Sequence, residues 1–181
     1  MTRFSNTPYL LRHRFAATLA ATAATLYAGQ ALAFEITGSE GTRLSAEDVA
    51  TFDEPWAMAF LPDGTLLVTE QRGKLLHVTR EGNKTAVDHE IEVAYGGQGG
   101  LGDVVADPNF AENRRVWLSY AKSDDGGTTR GAAVVHATLD SRDGKPALTN
   151  VTPVWDQQPH VSGKGHFSHR IAFGPDNTPH A

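Results

Sequence analysis

From Met58 onward the apolar segments are short and the turns between them shorter still, and this spacing limits the fold more than any other feature. Met58-Ala59-Phe60-Leu61 is followed by the turn Pro62-Asp63-Gly64, and Thr65 to Thr69 is a second apolar, β-branched run. Gln71-Arg72-Gly73 makes the next turn, and Lys74 to Thr79 is a third run, ended by Glu81-Gly82-Asn83. Parallel strands need a crossover of roughly a dozen residues or more, so segments this close form an antiparallel meander.

The theme recurs. Gly102 to Ala106 leads into Asp107-Pro108-Asn109, Arg115 to Tyr120 alternates like a strand with one buried face, and Gly131 to Leu139 follows the Asp124-Asp125-Gly126-Gly127 turn. Arg170-Ile171-Ala172-Phe173 then meets Gly174-Pro175-Asp176-Asn177, echoing Ala59 to Gly64. Asp63, Asp107 and Asp176 thus mark three copies of an apolar strand running into a turn, at unequal intervals of roughly 44 and 69 residues. Phe34 to Phe52 reads as a polar lead-in, and no long amphipathic helix period is visible after it. An all-β fold follows, with four-stranded propeller blades joined by loops of varying length as the first reading and a β-sandwich as the alternative. On the propeller reading the chain holds about two blades and the start of a third, since a blade beginning at Arg170 has no room for its other strands before Ala181.

The first 33 residues read as an export signal rather than as part of the fold. Arg3, Arg12 and Arg14 precede an apolar run from Phe15 to about Tyr27, and Ala31-Leu32-Ala33 offers a small-residue cleavage site that makes Phe34 the first mature residue. The competing reading is an uncleaved anchor, but the run is about 13 residues against roughly 20 needed to span a bilayer. Cleavage implies a periplasmic or secreted protein with residues 34–181 as its partial mature domain and no membrane span. Loss of three arginines would leave an acidic chain. Together with the net charge of -5 and the lack of a Lys/Arg cluster, this argues against a nucleic-acid partner. There is no cysteine, which excludes disulfides, thiolate nucleophiles and Cys-ligated metals together.

Two segments stand out chemically. Gly96-Gly97-Gln98-Gly99-Gly100-Leu101-Gly102 sets five glycines around one glutamine, a composition that costs a strand order and packing. It suits backbone passing close to a flat ligand, with Gln98 offering a donor and an acceptor, or else a flexible loop. It has neither the pattern of a dinucleotide fingerprint nor the Lys-Ser/Thr ending of a phosphate loop. The second segment carries His160, His166, His169 and His180. His166 follows the flexible Ser162-Gly163-Lys164-Gly165 and is a candidate proton acceptor. The histidine spacing matches no standard zinc motif. Trp56 and Trp117 read as sheet anchors, and Asp103 as a hydrogen-bonded structural group or a ligand.

Taken in order, Pro55 to Gly64, Leu67-Val68-Thr69-Glu70, Arg72-Gly73, Gly97 to Leu101, Asp107-Pro108-Asn109-Phe110 and Arg170 to Asp176 form a set of motifs that resembles the soluble glucose/sorbosone dehydrogenase family, in particular its bacterial aldose sugar dehydrogenases. The resemblance implies a six-bladed β-propeller exported to the periplasm, binding pyrroloquinoline quinone (PQQ) and Ca²⁺. It also implies oxidation of small-molecule aldoses at the anomeric carbon to lactones. On this likeness His166 is the catalytic base and Gln98 lies by the cofactor and sugar, while the remaining cofactor and Ca²⁺ ligands fall in later blades. No metal ligand is assigned within this chain. Family members carry Gly-Gly or Ser-Gly where this chain has Ser168-His169, and some have an acid where it has Gly165. The alternatives are a metal-dependent lactone hydrolase on the same architecture and a propeller used only for binding.

Overall fold

The computed structural model describes residues 34–181, so the expected leader over residues 1–33 lies outside the described residues. Strands β1 (Phe34–Thr37) and β2 (Arg43–Ala46) pair as a hairpin within the stretch read as a plain lead-in. Its turn closes where Gly41 takes a φ of 81°, a conformation open to glycine at little cost.

The expected meander follows. Strands β3 (Pro55–Phe60), β4 (Leu66–Glu70), β5 (Lys74–Val78) and β6 (Lys84–Ala86) form a four-stranded antiparallel sheet in chain order. A second sheet is built from β7 (Leu101–Ala106), β8 (Arg115–Lys122), β9 (Thr129–Arg142) and β10 (Lys145–Asp156), again as neighbours in sequence, with β11 (Val161–Ser162) added on β9. One helical turn, α1 (Phe110–Asn113), lies between β7 and β8. Strands β12 (Ala172–Phe173) and β13 (Pro179–His180) make a final hairpin. Among the described residues the fold is therefore all-β apart from that turn, with its strands paired antiparallel and one isolated parallel bridge between Asp88 and Ala147.

The three marker aspartates do the same physical job. In each, a carboxylate oxygen accepts the backbone N–H two residues on: Thr65 to Asp63 at 2.9 Å, Asn109 to Asp107 at 3.0 Å and Thr178 to Asp176 at 3.0 Å. This is the Asx turn by which an aspartate beside a proline ends a strand. Asp107 does more, because the Trp117 indole Nε1–H also donates to it at 3.0 Å and so satisfies a buried donor.

Strand β8 departs from the one-sided pattern expected of it: both of its faces are buried. Val116, Leu118 and Tyr120 join Leu67 and Leu75 of the first sheet in the main core. Trp117 points the other way and packs with Val134, Ile171 and Phe173, with the Trp117 and Phe173 rings edge to face at 5.8 Å. Alternation along the strand is real, but a second layer covers the face that sequence alone left to solvent. Each fully buried aliphatic side chain contributes about 1.5–3 kcal/mol on this arrangement. Backbone bonds stitch the two sheets: the Leu101 N–H donates to the Gln71 carbonyl at 2.9 Å, and the Asp88 N–H to the Pro146 carbonyl at 2.9 Å.

Candidate functional site

The glycine-rich segment folds as a tight turn pinned from three sides. The Gly99 N–H donates to the Gly96 carbonyl at 3.1 Å, closing the turn on itself. The Gln71 side-chain amide donates to the Gly97 and Gly99 carbonyls at 3.1 and 3.0 Å. The Gln98 N–H donates to the Lys164 carbonyl at 3.0 Å, two residues before His166. The two segments singled out in the sequence, more than sixty positions apart, are thus joined by a backbone hydrogen bond. The side chains of Gln98 and His166 are both exposed.

Packing within the chain gives three of the glycines a cause of its own. A Cβ on Gly97 would strike the carbonyl and side chain of Lys164, one on Gly100 would strike Gln71, and one on Gly102 would strike the His169 ring. The close approach is to the protein's own chain, so among these residues it is packing that forbids side chains. The turn is correspondingly not a loose loop. Lys164 lays its side chain over Gly96, which brings an ammonium to the rim of the turn. On the same rim Arg72 pairs with Glu54 at 3.0 Å and lies 4.6 Å from the centre of the Tyr95 ring.

The segment that carries His166 is anchored on both sides of His169. The Ser119 hydroxyl donates to the His169 carbonyl at 2.6 Å and accepts the Asp103 N–H at 2.9 Å. The Asp103 carboxylate accepts the Ile171 N–H at 2.8 Å and the Val104 N–H at 3.1 Å. Asp103 is buried and does structural work, as its place beside a strand suggested. Ser168 has a φ of 45°, in the left-handed region that glycine adopts without cost.

The four histidines of this segment occupy separate settings. His160 is held by Asp156 at 3.0 Å, His166 is exposed, His169 is buried at 6 % exposure, and His180 lies exposed in β13. Burial lowers the proton affinity of His169, with the Gln98 backbone carbonyl and the Asp103 charge opposing it. Among the described residues, Asp124, Asp156 and His160 offer ligand atoms close enough to share an ion. Lys122 already places its ammonium 3.2 Å from Asp124 and 2.9 Å from Asp156, so a cation is built in. Trp117 is the sheet anchor expected of it, whereas Trp56 is 46 % exposed and meets the His169 ring edge to face at 5.4 Å. Gln71 and Ser119 were not singled out in the sequence. Their partners lie 16 to 50 positions away, and no local pattern marks such a bond.

Residues 52–180 match the family described as Glucose / Sorbosone dehydrogenase. An aldose sugar dehydrogenase of Escherichia coli (strain K12) is 40% identical over 123 residues, which cover 67% of this chain and 32% of the relative. The crystal structure of the soluble aldose sugar dehydrogenase from Escherichia coli in the apo-form aligns with a TM-score of 0.60 at 40% identity, over 67% of this chain and 35% of that one. The PQQ-bound aldose sugar dehydrogenase from Streptomyces coelicolor aligns with a TM-score of 0.62 at 28% identity, over 72% and 38%. The chain spans about a third of the length of the curated relatives it matches. Family match, sequence identity and backbone likeness agree, and the chain belongs to the glucose/sorbosone dehydrogenase family.

Proposed function

We propose that this chain forms the first part of an exported sugar dehydrogenase that oxidises aldoses at the anomeric carbon to lactones, with PQQ as the hydride acceptor. The observation that carries the reading is the hydrogen bond from the Gln98 N–H to the Lys164 carbonyl, which seats an exposed amide and an exposed imidazole on adjoining, rigidly held turns. The likeness to sugar dehydrogenases, one of them in its PQQ-bound form, supports the chemistry. We further propose that residues 1–33 direct export to the periplasm and that the whole protein is a six-bladed ring, with residues 34–181 its first two blades and the start of a third. In support, β3 exposes Trp56, Met58 and Phe60, and β10 exposes Val151, Val154 and Trp155, the kind of apolar faces that neighbouring sheets cover.

The residues present fit a flat, anionic quinone and a sugar. Gln98 offers both a donor and an acceptor to the cofactor, and the Lys164 ammonium at the rim suits a carboxylate. When bound, the quinone supplies a two-electron acceptor that no protein side chain provides. His166 takes the proton of the anomeric hydroxyl, and the electron pair left on oxygen forms the carbonyl as the anomeric C–H bond breaks with its electrons. The Gly97, Gly99 and Gly100 contacts keep the turn from moving as substrate enters. Ca²⁺ belongs to this reading as a cofactor, and we assign it no ligand among the described residues.

The test is oxidation of a panel of aldoses by the intact protein supplied with PQQ and Ca²⁺, followed by dye reduction. Aldose-dependent reduction is expected. No reduction with any aldose, alongside hydrolysis of lactones with a divalent metal, would transfer the site to the hydrolase reading.

A further inference from the structure

Of the three histidines in this segment that the proposed reaction leaves without a task, His169 is the most enclosed. Its ring occupies the space where a side chain on Gly102 would stand, since a Cβ there would collide with the ring and with the His169 Cβ. Trp56 of β3 meets the ring edge to face at 5.4 Å, and Phe167 lies tilted against it at 6.1 Å. Phe167 in turn packs with Ala121 and Ala94, and its ring closes on Gly99. The ring therefore touches the first sheet through Trp56, the second through Gly102, and the glycine turn through Phe167.

The hydrogen bonds around it point the same way. The Gly102 carbonyl accepts the Thr69 hydroxyl at 2.7 Å, fixing the floor of the seat to the first sheet. The His169 carbonyl is held by Ser119 and the next N–H but one by Asp103. Burial favours the neutral ring, and the nearby Gln98 backbone carbonyl and Asp103 charge oppose it. Its Nδ1 is buried without a hydrogen-bond partner among the described residues.

We propose that His169 is a positioning residue whose ring, seated on Gly102, locks the Gln98 turn and the His166 segment in one register. This rests on the sugar-dehydrogenase reading for its consequence, and on packing alone for its existence. Without the ring, Phe167 and the Gln98 turn lose their common support, and the Gln98 N–H to Lys164 bond opens more often.

Amide hydrogen exchange of the intact, cofactor-free protein reads that bond directly, so the outcome is independent of activity. In His169→Ala the Gln98 amide is expected to exchange at least about tenfold faster, while the Leu118 amide in the core of β8 changes less than about twofold. His169→Phe, which keeps a ring in the seat, is expected to hold Gln98 within about threefold of the parent. If the alanine variant does not fold, His169→Val carries the same test, because it fills the seat without reaching Trp56. Unchanged Gln98 exchange in His169→Ala or His169→Val, or acceleration equal to that at Leu118, overturns the proposal. In the loaded enzyme His169→Ala should lower kcat more than it raises KM, with recovery in His169→Phe.

Discussion

The Ile171 N–H donates to the Asp103 carboxylate at 2.8 Å across 68 positions of sequence, and this bond fixes where the His166 segment lies on the second sheet. Removing a buried acceptor leaves its donors unsatisfied, so Asp103→Ala is expected to lower stability by about 2–3 kcal/mol in denaturant titration of the intact protein. Arg170 also pairs with Asp103, at 3.7 Å, but its side chain is 84 % exposed. Arg170→Ala is therefore expected to cost less than about 0.5 kcal/mol. Equal losses in the two variants would show that the ion pair, and not the backbone bond, anchors the segment.

Ser168 sits at a φ of 45°. The left-handed region costs a non-glycine residue roughly 1–2 kcal/mol. Ser168→Gly is expected to raise stability by about 0.5–1 kcal/mol, since glycine gives back part of that gain as chain entropy when unfolded. A lower melting temperature would mean that the serine side chain earns its place there.

Gly97 faces the Lys164 backbone, which has no flexible end to move aside. Its φ of 63° adds strain for any other residue. Gly97→Ala is expected to destabilise the turn by about 1–3 kcal/mol. Crystallography or exchange at the Gln98 amide should show the turn displaced, and an unmoved turn would contradict the packing account.

Asp107 gives a pH signature. Burial alone would raise its pKa, but the Trp117, Asn113 and Asn109 donors outweigh it and hold the carboxyl below its ordinary value of 3.8. A group with a depressed folded pKa stabilises the fold above its unfolded value and loses that contribution as pH falls through the folded one. Stability should thus fall below about pH 4 in the parent, and less steeply in Asp107→Asn. Identical acid limbs in the two proteins would remove Asp107 from the account.

Local chemistry made much of the fold legible. The meander from β3 to β5 follows from turn spacing, and the three Asx turns sit where Asp63, Asp107 and Asp176 marked them. Strand β10 went unrecognised although Asp143 and Gly144, at φ 52° and 75°, form the Asp-Gly hairpin turn that pairs it with β9. Pro146 and Pro153 within it broke the strand pattern. At the site, Gln98 and His166 stood out by residue type and by family likeness. Their junction through Lys164, the support from Gln71 and the fit of His169 on Gly102 are long-range packing relationships, which no local period encodes.

The central claim is that Gln98 and His166 face one bound quinone and sugar. The most direct measurement is single-turnover sugar oxidation by His166→Ala in the intact protein, read together with PQQ binding by the same sample. The account predicts a rate lower by about 10²–10⁴-fold with quinone affinity within about threefold of the parent. A parental rate of oxidation in that variant would contradict it.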